Sequence, residues 1–183
     1  MTDVVRLTLV SHAMTDAMAA GRFPADESLS QIGRRQVKKA GRLDVQKDAR
    51  LFAGPEQRVR ETAQLLGLHA VTEPRLADLQ CGDWCGHTLR AVGPTELETW
   101  LTDPARAPHG GESIVDLIQR VAGWLQSLTA NTAPVVAVTH PAVIRAAILH
   151  SLDAPPKSFW GIDIAPVSRT VLHFRNGRWT LRL

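Results

Sequence analysis

Hydrophobic positions along the chain follow two alternating patterns, and the first is a set of short apolar runs. Residues 6–10, 50–53, 70–72 and 135–139 are mostly apolar, with little alternation between apolar and polar positions. Such runs are typical of strands that are covered on both faces, as in a parallel sheet. The runs at 6–10, 50–53 and 135–139 therefore each predict a buried strand, and residues 70–72 are a candidate for a further strand.

The second pattern is an apolar stripe with a helical period, which begins after each of the first two main strands. Ser30 suits the N-cap of a helix that ends near Leu43. Pro55 suits the first position of another helix, and Glu56 beside it faces the positive end of the helix dipole. Arg58 then lies in the first turn of this helix, at the carboxyl end of the preceding strand.

Two further helices are predicted in the second half of the chain, after a helical stretch that reaches Trp100. Ser113 and Asp116 have the spacing of a capping box, and residues 114–128 carry a regular apolar stripe that indicates packing in the core. Pro141 begins the last helix, which we expect to end at Leu152.

The fold class follows from the order of these elements. Strands alternate with helices, and Asn176-Gly177 between residues 170–174 and 178–183 is the strongest hairpin signal in the chain. We predict a three-layer α/β/α fold with a mostly parallel central sheet, an antiparallel edge and a C-terminal hairpin. At 183 residues, the chain 1–183 is expected to form one domain.

Composition changes the predicted fold little, but it argues against several classes of binding partner. The N-terminus has no signal-peptide pattern and no apolar run is long enough for a bilayer, so we expect a cytoplasmic protein without membrane contact. The net charge of +3 comes partly from basic residues on one face of the helix after Ser30, which a solvated face explains. No nucleic-acid-binding motif accompanies them. Cys81 and Cys85 are interpreted as reduced packing residues, because two cysteines without a His or Cys pair make a poor zinc site.

Candidate chemistry appears where the predicted strands end. His12 follows the first strand, His140 follows the run at 135–139, and Arg58 begins the helix after residues 50–53. The carboxyl ends of parallel strands meet at one edge of the sheet, where ligands of such sheets gather. Two imidazoles and a guanidinium beside helix N-termini form a site for an oxyanion such as phosphate.

Six segments carry motifs in a recognisable order: 9–13, 29–36, 55–63, 76–86, 110–113 and 138–146. Together they resemble the histidine phosphatase superfamily, which includes the phosphoglycerate mutases. Ser11-His12-Ala13 is similar to the family's Arg-His-Gly motif, and Thr139-His140-Pro141 to its second-histidine motif. The likeness extends over nearly the whole chain.

The resemblance implies a metal-independent, cofactor-free hydrolase. His12 would attack phosphorus and become phosphohistidine, which suits an imidazole because it needs no base once it is neutral. Arg58 and His140 would bind the phosphoryl oxygens. Asp78, at the family's acid position, would protonate the leaving group and then activate water. We expect a small phosphorylated metabolite as substrate and leave a homodimer open.

Four departures from the family pattern leave open whether the protein is an active enzyme. Ser11 replaces the family's arginine, although we still place Ser11 and Thr15 at the substrate. Pro141 replaces a glycine and removes a backbone N–H, Cys85 replaces a glutamate, and Asp78 is one methylene shorter than the usual acid.

From the sequence alone, three functions therefore remain open: a phosphomonoesterase, a mutase and a relative that binds a phosphorylated ligand with little or no activity. We favour a phosphomonoesterase over a mutase, because family mutases carry longer insertions. The main alternative is a catalytically weak or inactive relative that binds a phosphorylated ligand. Losing one preorganised charged donor costs roughly a hundredfold to a thousandfold in rate, so the replacement at Ser11 is the feature that favours this alternative.

Overall fold

A six-stranded sheet organises the protein in the computed structural model, which describes residues 4–183. The spatial order is β3-β2-β4-β1-β5-β6. The strands are β1 (Val5–Ser11), β2 (Arg50–Ala53), β3 (Val71–Thr72), β4 (Val135–Thr139), β5 (Arg169–Arg175) and β6 (Arg178–Arg182).

Strand direction places the ends of β1 and β4 side by side. The first four strands are parallel, while β5 runs antiparallel to β1 and forms the predicted hairpin with β6. Ser11 pairs with Thr139 in the β1–β4 register, so the residues that follow these two partners leave the sheet at the same edge. The predicted fold class is confirmed, including the antiparallel edge and the hairpin.

Helices cover both faces of this sheet. They are α1 (Asp16–Ala19), α2 (Gln31–Ala40), α3 (Gln57–Leu65), α4 (Pro94–Thr102), α5 (Ile114–Leu128) and α6 (Pro141–Leu152). Short 3-10 segments connect them, among them Pro74–Leu76 and Pro156–Gly161. Within residues 4–183, no helix combines the length and the hydropathy that crossing a membrane requires.

The helix boundaries correct two sequence predictions. The N-cap at Ser30 is confirmed, since its hydroxyl accepts the N–H of Gly33, but α2 ends at Ala40 rather than near Leu43. Gly41 follows with a φ of 75°, a positive value that glycine adopts without strain and that ends the helix.

The start of α3 is the second correction. The helix begins at Gln57 with Glu56 as its N-cap, so Pro55 lies outside the helix instead of at its first position. The side chain of Glu56 makes no capping bond; Oδ1 of Asp26, from a distant loop, accepts the N–H of Gln57 at 2.7 Å. Arg58 nevertheless lies in the first turn, as predicted.

The hydrophobic core consists of two clusters, one on each face of the sheet. Leu7 and Leu9 of β1 pack with Leu117 and Trp124 of α5, all of them fully buried. Val10 belongs to the cluster on the other face, with residues of α2 and α3. The predicted core stripe of α5 is confirmed, and one half of its capping box forms: the Ser113 hydroxyl accepts the Asp116 N–H, while the Asp116 carboxylate accepts the Ser113 hydroxyl rather than the Ser113 N–H.

The prediction of one domain over residues 1–183 is supported by strands from both ends of the described chain lying in one sheet, but it stays a prediction. Both cysteines are free. Cys81 is buried and belongs to a core cluster, whereas Cys85 is exposed, so the interpretation as packing residues holds for Cys81 only.

Candidate active site

Four of the residues selected from the sequence come together at the carboxyl edge of the sheet. His12 follows β1 and His140 follows β4, and their ring centroids lie 5.1 Å apart in an edge-to-face arrangement. Arg58 in the first turn of α3 pairs with Asp78, whose Oδ2 lies 2.7 Å from Nη2. Asp78 also approaches His140, at 3.3 Å from its Nδ1. The site therefore combines four segments that are far apart in the sequence.

His12 is held as a neutral imidazole with one defined tautomer. Its Nδ1 lies 2.8 Å from the carbonyl oxygen of Ala13. Because a carbonyl can only accept a hydrogen bond, Nδ1 carries the proton and Nε2 keeps its lone pair. Burial, followed by the charge of His140, lowers the pKa of His12 to about 3. The ring is thus neutral near neutral pH, with a free lone pair on Nε2.

Arg58 is a fully buried guanidinium that is fixed from two sides. Nη1 donates to the carbonyl oxygen of Ala25 at 2.7 Å, and Nη2 donates to Asp78 at 2.7 Å. Burial alone would raise the pKa of Asp78, but the charges of His140 and Arg58 outweigh it and lower that pKa. In the unliganded site, Asp78 is therefore a carboxylate.

His140 is the second imidazole, and only one of its nitrogens is satisfied. Nε2 lies 2.7 Å from Oε2 of Glu56. Nδ1 is buried and makes no hydrogen bond to the described residues, because its 3.3 Å approach to Asp78 lacks the required geometry. Since the carboxylate of Glu56 can only accept, Nε2 donates to it. When the ring carries both protons, Nδ1 is a second N–H donor without a partner among the described residues, and this donor can bind a ligand oxygen.

Glu56, the N-cap residue of α3, connects His140 to the segment that carries Asp78. Beyond its bond to His140, Oε1 accepts the N–H of Asp78 at 2.9 Å. Burial would raise the pKa of Glu56, but the hydrogen bond and charge of His140 outweigh it and lower that pKa. Our sequence reasoning assigned Glu56 only to the helix dipole, and its place two residues before Arg58 was the available signal.

Arg120 of α5 fixes the segment that carries Asp78. Its Nε and Nη2 each lie 2.7 Å from a carboxylate oxygen of Glu112, which makes a bidentate pair. The same guanidinium donates to the carbonyl oxygens of Arg75, Ala77 and Asp78. The sequence analysis missed this residue, since nothing in the helical stripe marks a polar position that folds back onto a loop.

Two cavities meet at Arg58 and Asp78, and one of them reaches His12. That cavity has a volume of about 170 Å³. Its apolar walls include Phe23, Trp100, Phe159 and Trp160, and its further charged residues are Arg22 and Arg145. The other cavity is lined by carboxylates as well, among them Asp26 and Glu56. We refer to the cavity at His12 as the histidine cavity.

Ser11 and Thr15 were also placed at the substrate, and neither lines the histidine cavity. The Ser11 hydroxyl donates to the carbonyl oxygen of Ala165 and accepts the N–H of Ser168. Thr15 caps α1 by accepting the N–H of Met18. Both side chains are fully buried in these structural bonds.

No group of three or more His, Cys, Asp or Glu side chains in residues 4–183 is placed to hold a metal ion. The histidine cavity contains three guanidinium groups, those of Arg22, Arg58 and Arg145, and such donors suit an anion.

Comparison with known proteins identifies the family. The sequence model described as histidine phosphatase superfamily (branch 1) matches residues 7–183. A glucosyl-3-phosphoglycerate phosphatase from Mycolicibacterium vanbaalenii is 30% identical over 178 residues, which cover 87% of this chain and 79% of the relative. The protein of that name from Mycobacterium tuberculosis is 31% identical over 170 residues, or 82% and 76% of the two chains.

Solved structures agree with the sequence comparison. The mycobacterial glucosyl-3-phosphoglycerate phosphatase in complex with VO3 superposes with a TM-score of 0.81 at 28% identity, covering 98% of each chain. The protein therefore belongs to the histidine phosphatase superfamily (branch 1) and is a phosphatase-type hydrolase, as its six motifs predicted.

Proposed function

We propose that the protein hydrolyses a small phosphomonoester through a phosphohistidine intermediate on His12. The observation that carries this proposal is the single-tautomer imidazole, whose Nδ1 is bonded to Ala13 and whose Nε2 is left free. A neutral imidazole attacks phosphorus without help from a base. Relatives named as phosphatases of glucosyl-3-phosphoglycerate support a small phosphorylated metabolite as substrate.

In the first half-reaction, Nε2 of His12 forms a bond to phosphorus while the bond from phosphorus to the leaving oxygen breaks. In this proposal the buried guanidinium of Arg58 and, with the ring protonated, the Nδ1–H of His140 bind the phosphoryl oxygens, which is supported by the burial of Arg58 and by the lack of a partner for Nδ1 among the described residues. Donors that are already oriented in a site shielded from water stabilise developing charge at little reorganisation cost.

Asp78 is the proposed proton donor. Its pKa is lowered in the unliganded site, so it must first gain a proton, and binding of the substrate favours this. The phosphoryl group brings negative charge beside Asp78 and competes with it for Arg58. Both effects favour protonation of the carboxyl group in the complex. Asp78 then protonates the leaving oxygen, and as a carboxylate it takes a proton from the water that breaks the phosphorus–nitrogen bond.

Trapping of the intermediate tests this proposal directly. Incubation with a radiolabelled phosphomonoester, followed by rapid denaturation in alkali, should give a label that is stable to base, labile to acid and located on His12. Turnover should persist in EDTA, because the proposed chemistry uses only side chains. Label on another residue, or turnover that EDTA abolishes, would contradict the mechanism.

The alternative is a ligand-binding protein without turnover, which the replacement of the family arginine by Ser11 favours. A panel of phosphorylated metabolites assayed for phosphate release separates the two functions. Binding of a phosphorylated ligand without release, and without label on His12, would establish the alternative.

The role of Asp78 predicts a dependence on the leaving group. Asp78→Asn keeps the size of the side chain but cannot transfer a proton. We expect it to slow hydrolysis of an alkyl phosphate by about a hundredfold or more, and that of nitrophenyl phosphate much less, because nitrophenolate leaves without protonation. Equal losses on the two esters would remove Asp78 from the acid role and leave it as a partner of Arg58.

A further inference from the structure

Arg145 is a charged residue of the histidine cavity that the mechanism above does not use. It lies on α6, five residues after His140, and lines the same cavity as His12. Its Nε donates to the carbonyl oxygen of Ile162 at 2.6 Å. The guanidinium carbon lies 5.6 Å from the ring centroid of Phe159 and 5.8 Å from that of Trp160. The fold therefore fixes this side chain against the aromatic wall.

The guanidinium of Arg145 also lacks a counter-ion. Among residues 4–183, no carboxylate oxygen lies within 4.0 Å of it, and its two Nη atoms donate no hydrogen bond. Burial lowers the pKa of Arg145, against the more distant charges of Asp163 and Asp78. By contrast, Arg58 and Arg120 each pair with a carboxylate at 2.7 Å.

This combination points to a ligand. The Nη atoms of this half-buried guanidinium have no acceptor among the described residues, and an anion that enters from the cavity would accept hydrogen bonds from them. The planar pair of Nη groups matches a carboxylate in geometry, and one guanidinium balances its single charge. The transferred phosphoryl group already has His12, Arg58 and Nδ1 of His140 as its partners in the proposed reaction.

We propose that Arg145 is a specificity-determining residue that binds a carboxylate on the leaving part of the substrate. The inference rests on the proposed phosphomonoesterase function and adds a substrate class to it: phosphomonoesters whose leaving alcohol is also an acid. The apolar walls around Arg145 exclude water and strengthen such a charged contact.

A matched pair of esters tests the inference. 3-Phosphoglycerate carries a carboxylate, and glycerol 3-phosphate has a hydroxymethyl group in its place. The readout is the ratio of kcat/KM for 3-phosphoglycerate to kcat/KM for glycerol 3-phosphate. We expect Arg145→Gln to lower this ratio at least about tenfold, mainly by raising KM for 3-phosphoglycerate. The variant loses charge-assisted hydrogen bonds to the carboxylate, and the loss of one such bond is enough for about a tenfold change.

Two variants serve as controls. Arg34→Gln removes the same charge from the exposed face of α2, where Arg34 pairs with Glu61, and should leave the ratio unchanged. Arg145→Lys keeps the charge and the aliphatic stem, so it carries the test if Arg145→Gln unfolds. We expect it to lower the ratio less than Arg145→Gln does, because an ammonium group lacks the planar fork. An unchanged ratio in both Arg145 variants would overturn the proposal.

A binding measurement separates this outcome from failure of the proposed function. Calorimetric titration of the two esters into His12→Ala protein needs no turnover. A preference for 3-phosphoglycerate that Arg145→Gln removes in this background supports the inference even if no ester is hydrolysed. Equal affinity for the two esters in His12→Ala overturns it, whatever the result of the phosphate-release assay.

Discussion

Burial of His12 couples its chemistry to the stability of the protein. The same environment that keeps Nε2 unprotonated holds the pKa of this residue at about 3 in the folded state. The ordinary value near 6.5 applies once the chain unfolds. Between these two values the unfolded chain binds one more proton than the folded protein, so acid favours unfolding.

This linkage predicts how replacement of His12 alters the pH dependence of stability. The contribution of His12 is fully present above about pH 6.5 and is lost as the pH falls toward 3. Relative to wild type, His12→Asn should therefore gain about 2 kcal/mol in free energy of unfolding between about pH 7 and about pH 4.5. Denaturant titrations at both pH values measure it. A difference between the two proteins that stays constant with pH would show that His12 is not held neutral.

Single residues also show where sequence reasoning reached its limit. The motifs identified His12, Arg58, Asp78 and His140, and the structure gathers all four. They could not show that the hydroxyl of Ser11 is bonded to the segment near Ala165, since that contact joins residues 154 positions apart. The identity of the residue at position 11 is visible in the sequence, whereas the direction of its side chain depends on packing in the folded protein.

Among the elements, the approach of α2 to the loop after His12 decides the shape of the site. Gly33 lies in the first turn of α2, and a Cβ atom at this position would collide with the backbone carbonyl oxygen of Met14. The hydroxyl of Ser30 donates to the same carbonyl oxygen. The Leu-Ser-x-x-Gly segment therefore has a packing role: its glycine lets the helix contact the loop that follows His12.

This close approach predicts opposite effects of one substitution at two helical glycines. Gly123 in α5 is exposed with open space around it, so Gly123→Ala should stabilise the protein by about 0.5–1 kcal/mol through helix propensity. Gly33→Ala has a similar propensity gain, but the collision with Met14 costs about 1–3 kcal/mol or more. We expect net destabilisation and lower activity at Gly33. Thermal unfolding of both variants measures the effect, and equal stabilisation would exclude the close contact.

Element ends were predicted less well than element types, for a physical reason. The type of each main helix follows from periodicity that lies within the element itself. The start of α3 instead depends on Asp26, which caps Gln57 from a loop 31 residues earlier in the chain. The local sequence around Pro55 predicted that this residue lies inside the helix, because it contains no information about the contact between Asp26 and Gln57.

In the whole molecule, the active site is a product of topology. The order β2-β4-β1 places three strand ends side by side, although they come from residues near 11, 53 and 139. The fold class could be predicted because strand and helix patterns alternate along the entire chain. Arg120 and Arg145 could not be assigned in this way, because each acts on a segment that only the folded sheet brings near.

Since His12, Arg58 and His140, which we propose to bind phosphate, come together only through this topology, an oxyanion should stabilise the entire fold. A ligand that binds only the folded state, at about 100 times its Kd, adds about 2.7 kcal/mol, which corresponds to about 5–10 °C in Tm for a chain of this size. We expect orthovanadate to produce such a shift in thermal unfolding of the wild-type protein. Arg58→Gln should lose most of it at the same concentration, because Arg58 is the buried cation of the site, whereas Arg34→Gln on the outer face of α2 should keep it. An equal shift in all three proteins would place the oxyanion outside the histidine cavity, and the carboxyl edge of the sheet would then not be the phosphate site.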